Sequence, residues 1–155
     1  MSFNPWAPEG AIITRLKSHV ALVSATQGIF NTVAIDGDGT EISIGAGLQP
    51  FVVMTHVSGT FSNTTFRTNI ASSLYQVSVF DSPLNGDDAA KTVAGYVFGD
   101  SEGTDNNPTF GLHRWQISGV TDMANATMVA ESYGTLHTAD ALHYWMTFSI
   151  ENVEA

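Results

Sequence analysis

Leu142, Tyr144, Met146, Phe148 and Ile150 alternate with His143, Trp145, Thr147 and Ser149. A period of two over nine residues places the first set on one face of a β-strand and the second on the other. Two earlier stretches read the same way. "PFVVMTHVSG" opens on Pro50, where a strand tolerates proline, and closes at Gly59. In "SLYQVSVFDS", Tyr75, Val77 and Val79 share a face opposite Gln76 and Ser78. "IFNTVAI" is a short strand candidate, and "GLHRWQISGV" and "ATMVAESY" read as further strands.

Helical spacing occurs twice. After Pro8, Ile12, Ile13, Leu16, Val20 and Val23 recur on one side, with Arg15, Lys17 and Ser18 on the other. Ala89, Ala90, Val93, Ala94 and Val97 form the second stripe, with Asp87 and Asp88 in the first turn, where the helix dipole favours acids, and an end near Gly99. Two turn-rich excursions interrupt these elements, one from Asp36 to Gln49 and a polar tract from Asp100 to Thr109. The order predicts an α+β domain: a mostly antiparallel or mixed sheet with two packed helices.

At 155 residues, 43% of them hydrophobic, the chain suits one domain with a proper core. Fifteen acidic against five basic residues give a net charge of −10, which argues against a general nucleic-acid binder, because affinity for phosphate comes from Lys and Arg. Cysteine is absent, so disulfides and thiolate zinc sites are excluded. The first residues lack a basic segment leading into an apolar run, and no window approaches 18 apolar residues, so neither export nor membrane spanning is expected. The sequons at Asn63 and Asn125 then carry no weight.

The acid–glycine alternation in "VAIDGDGTEISI" invites comparison with a calcium loop. Counting from Asp36 puts Asp38 at position 3 but Glu41 at position 6 and Gly47 at position 12, where an EF-hand needs Gly and a bidentate Glu. A tight turn in a β-excursion fits better, with any calcium binding no tighter than roughly millimolar. The histidines at 19, 56, 113, 137 and 143 are not spaced to share one predicted face, and no G-x-S-x-G elbow accompanies the serines. "GAGLQP", Gly45 to Pro50, leads into a strand rather than a helix and lacks the Lys of a phosphate loop. Asp87 and Asp88 are expected to cap a helix rather than act as acid and base. No catalytic residue, metal or cofactor is expected.

With chemistry unsupported, the ordering of elements is the strongest clue. An initial helix, the strand "PFVVMTHVSG", the strand "LYQVSVFD" feeding the helix "DDAAKTVAGYV", a polar loop and a long aromatic-rich last strand together resemble the tail terminator, or tail-completion, proteins of long-tailed bacteriophages. The resemblance covers roughly residues 9–151, between an arm at 1–8 and a tail at 152–155. It rests on structural positions without catalytic signature, and the 36–49 and 100–109 excursions depart from shorter members.

The resemblance implies a homo-oligomeric, typically hexameric, ring in the virion at the head-proximal end of the tail tube, assembled in the host cytoplasm. Such a ring ends tube polymerisation and joins the tail to a head–tail connector or neck protein. Its partners would be itself, the tube protein and the connector, with DNA passing through the channel unbound and no membrane involved. The carboxylate excess suits a channel that repels DNA. Asp36, Asp38 and Glu41, in a polar hairpin, and Trp145, a large aromatic on the polar face of the last strand, are the expected interface residues. The alternatives are another phage neck or head-completion protein and a small acidic ligand-binding or enzymatic α+β domain.

Overall fold

The computed structural model describes residues 3–62, 69–100, 108–121 and 123–154. The sequon at Asn63, Arg67 and most of the 100–109 tract lie outside these residues. The elements run α1 (Pro8–Lys17), α2 (Val20–Ser24), β1 (Ile29–Asn31), β2 (Phe51–Ser62), β3 (Ile70–Asp81), a 3-10 turn (Pro83–Asn85), α3 (Asp88–Phe98), β4 (Gln116–Ile117), β5 (Ala126–Thr127), β6 (Val129–His137) and β7 (Leu142–Val153). The fold is α+β. Five strands form one sheet in the order β1-β2-β3-β7-β6, antiparallel except for the β1–β2 pair, while β4 and β5 make a small second sheet. No described helix is long and apolar enough to cross a membrane.

The helices pack on one face of the sheet. Tyr75, Val77 and Val79 of β3 and Phe148 and Ile150 of β7 meet Ile12 and Leu16 of α1, Leu22 of α2 and Ala90, Val93 and Val97 of α3 in a single buried cluster. Period two on the strands and the helical stripes therefore describe the same core from its two sides. Pro8 opens α1, whose first turn carries Glu9 and whose last turn carries Arg15 and Lys17, each matching the dipole at its end.

Three expectations need correction. The first helix is two: His19 takes an extended conformation that ends α1 and starts α2, so Leu22 turns inward while Val20 and Val23 face solvent. The count of α-helices is accordingly three rather than two. "GLHRWQISGV" contributes only the two-residue β4, because Gly111 and Arg114 adopt positive φ and the segment spends its amides on helix and loop carbonyls: Leu112 and His113 donate to Val97 and Phe98, and Arg114 donates to Met128. Asp87 makes no side-chain cap; its carboxylate pairs with Lys91 at 2.7 Å instead.

Glycine is required where α3 meets this segment. Gly99 has φ of +111° and Gly111 +84°, and a Cβ on Gly111 would stand 2.1 Å from the Gly99 Cα, a backbone approach only two glycines permit. Arg15 fastens the same place from α1, donating from Nε to the Gly111 carbonyl (3.1 Å) and from its terminal nitrogen to that of Pro108 (2.8 Å), with the guanidinium 5.2 Å from the Trp115 ring centroid. Asp100 accepts from the Thr109 hydroxyl and amide and from the Phe110 amide, and the Thr109 hydroxyl bond leads in holding its carboxyl below the ordinary range.

Candidate assembly surfaces

No described helix covers the second face of the sheet. Register sets its rows: Phe51, Phe80, His143 and Leu136 lie across β2, β3, β7 and β6 in one, and Val53, Ser78, Trp145 and Gly134 in the next. In the first row the Phe51 and Phe80 rings stack at 5.3 Å and Phe80 and His143 at 4.3 Å. His143 Nε2 lies 2.8 Å from the Ser78 hydroxyl, and burial lowers the His143 pKa. Among the described residues no carboxylate is bonded to this imidazole, and Ser78 is only 5% exposed, so the pair reads as a satisfied polar contact. Trp145 is half-buried and lies flat over Gly134, where a Cβ would come within 2.3 Å of its ring. The neighbouring strand of its own subunit thus supplies one side of its surroundings.

The other expected interface residues occupy a hairpin beside β1. Asp36 Oδ1 accepts from the amides of Asp38 and Thr40, both at 2.9 Å, Ile35 and Glu41 bridge antiparallel, and Gly39 turns the chain at φ +79°. The acid–glycine stretch is the tight turn expected of it. No three His, Asp or Glu side chains among the described residues are arranged to hold a metal. The structure brings Asp36, Asp38 and Glu41 together and leaves Trp145 apart from them, four strands of sheet away.

The remaining candidates are structural. Each histidine lies against an aromatic ring: His19 on Phe110 and Tyr96, His56 on Trp6 and Tyr75, His113 on Phe98, His137 on Tyr144 and His143 on Phe80. His113 Nδ1 also accepts from the Ala130 amide. His137 and His143 project from opposite faces of the sheet. The glycine-rich "GAGLQP" is strapped down by Asn85, which donates to the Gly45 and Leu48 carbonyls and accepts from the Gly47 amide, so its amides are not gathered around a phosphate-sized space.

A further surface was not visible in the sequence. β6 is an edge strand of nine residues, and Val129, Tyr133 and Leu136 on it are exposed, Tyr133 to 84%. Between β6 and α3 runs an open groove of about 470 Å³, walled by Ala94, Gly95 and Phe98 of α3 and by Tyr133, Tyr144 and Met146 of the sheet. A groove of that size and apolar lining falls within the range of binding clefts, and an uncovered edge strand is itself a pairing surface. Exposure of Tyr133 and Leu136, on opposite faces of the same strand, erased the alternation that would have marked it.

No family model matches the chain, and no curated protein matches it. Among solved structures, the chain is similar to one in the virion of a native gene transfer agent (GTA) particle, at 10% sequence identity, covering 93% of this chain and 92% of that one, with a TM-score of 0.49.

Proposed function

We propose that the protein is a structural virion protein that assembles as a ring, of six copies in the reading favoured by the resemblance, on the head-proximal end of a phage tail tube. There it stops tube growth and presents the surface that joins the head. The observation that carries this reading is the one-sided sheet. A 155-residue chain that folds its described helices onto one face, and leaves a nine-residue edge strand with Tyr133 and Leu136 exposed on it, has the form of an assembly subunit rather than of a freestanding domain. The resemblance of the order of elements to that of tail terminators supports the particular role, and the −10 charge suits a channel that must release DNA.

The test is genetic and direct. Particles made without this protein should consist of filled heads beside separate tails of irregular, often excessive length when viewed by electron microscopy. Tails of uniform, normal length that fail to join heads would contradict tube termination and point to a neck protein.

A further inference from the structure

We infer that the subunits join head to tail, the hairpin at residues 33–42 of one copy seating in the α3–β6 groove of the next; this rests on the ring reading above. The two surfaces stand at opposite lateral edges of the sheet, the hairpin beside β1 and the groove beside β6. Each copy therefore offers one of each, and a contact between unlike surfaces leaves both ends open to propagate until a ring closes. A contact of β6 with β6 would instead pair two copies and stop.

Their chemistry matches. The hairpin presents exposed Val33 and Ile35 just before a tip carrying Asp36, Asp38 and Glu41. The groove offers an apolar floor, with Phe98 and Tyr133 exposed above it, and cations at its two ends. At the N-terminal end of α3, Lys91 lies one turn before Ala94 and Gly95 on the same side of the helix and within electrostatic reach of Tyr144. At the other end, the segment bonded to the Phe98 carbonyl carries Arg114, which is exposed and held at φ +65°, with its amide bonded to the Met128 carbonyl. Of the four cations that are described, these two lie on the helix and the segment next to the groove, while Arg15 is used inside the subunit and Lys17 lies by the hairpin. Glu131 also borders the groove, with its carboxylate accepting from the Ser149 hydroxyl. Asp87 already pairs with Lys91, but an exposed pair of that kind exchanges partners at little cost.

Two variants test the geometry, one blind in the groove (Tyr133→Asp) and one blind in the hairpin (Ile35→Asp); both positions are exposed, and circular dichroism checks that each folds. Sedimentation velocity and native mass spectrometry, alone and on isolated tail tubes, give the state of assembly. Each variant alone should be monomeric. Their equimolar mixture should form a dimer and nothing larger, because only the groove of the Ile35→Asp copy and the hairpin of the Tyr133→Asp copy remain competent. Restored assembly in a chain carrying Arg114→Glu together with Asp36→Arg and Asp38→Arg, where Arg114→Glu alone abolishes it, would add the charge pairing. Rings formed by either variant as readily as by the unaltered protein, or a mixture that stays monomeric, overturn this inference and leave the ring reading standing. An unaltered protein that forms no ring in either setting overturns both.

Discussion

The two faces of the central sheet are built from the same strands and differ in what each asks of its side chains. On the helix side, Tyr75, Val77, Val79 and Phe148 are wholly buried in one cluster with the helices, so the middle of this face is closed by its own subunit, with the open groove at its β6 edge. On the other side, aromatic rings alternate with hydroxyl and imidazole groups, and His143 and Trp145 are left half-buried. The first face holds the fold together by excluding water. The second mixes rings with polar groups, the composition that the proposed assembly would cover.

The largest expected contrast comes from truncating one aromatic on each face of β7. Phe148→Ala should cost about 3–5 kcal/mol of folding stability, as a buried aromatic replaced by a cavity does. Trp145→Ala should cost less, roughly 1–2 kcal/mol, since the indole is only partly buried, while formation of the proposed ring disappears. Thermal melts read the first quantity and light scattering the second. Equal destabilisation by the two substitutions would mean that the indole belongs to the subunit's core and that the two faces do not differ as described.

A smaller effect distinguishes the faces by pH. Burial lowers the pKa of His143, so the unfolded chain takes up its proton at a higher pH than the folded chain does. The stability tied to this group is therefore complete above the unfolded value of about 6.5 and is lost as pH falls from there towards the lower folded value. His19 and His113 shift the same way, each first through burial and then through Arg15 and Arg114 respectively, so the whole protein should weaken between neutral and mildly acidic pH. His143→Asn should flatten part of that slope in melts taken from pH 7.5 to 5.5, values that bracket the imidazole range. An unchanged slope would show that His143 is as well hydrated as a free side chain and that the open face is not held together by its ring stack.

Much of this was legible in the sequence wherever one face of an element is buried and the other is not. The β7 alternation, the Tyr75, Val77 and Val79 row and the Ala90, Val93 and Val97 stripe all lie where periodicity put them. The reading failed where tertiary contacts override local pattern. Val20 and Val23 continue the spacing of α1, yet the backbone breaks at His19, whose ring stacks on Phe110, a partner remote in sequence. Gly111 and Arg114 sit inside an apolar-rich stretch that looks like a strand, but their positive φ and the close approach to Gly99 divert it. Among the expected interface residues, the acids of the hairpin are where the turn chemistry of Asp36 and Gly39 puts them. The groove escaped notice because its walls come from α3 and β6, elements 30 residues apart whose side chains show no shared pattern until the sheet brings them together.

Capping of tail tubes is the central property that the proposed function assigns to this protein. Purified protein added to isolated tail tubes and imaged by electron cryomicroscopy should appear as one ring on one end of each tube, and tubes so capped should no longer elongate when tube subunits are supplied. Protein that coats the tube wall, binds neither end, or sits at an end that continues to grow would contradict it.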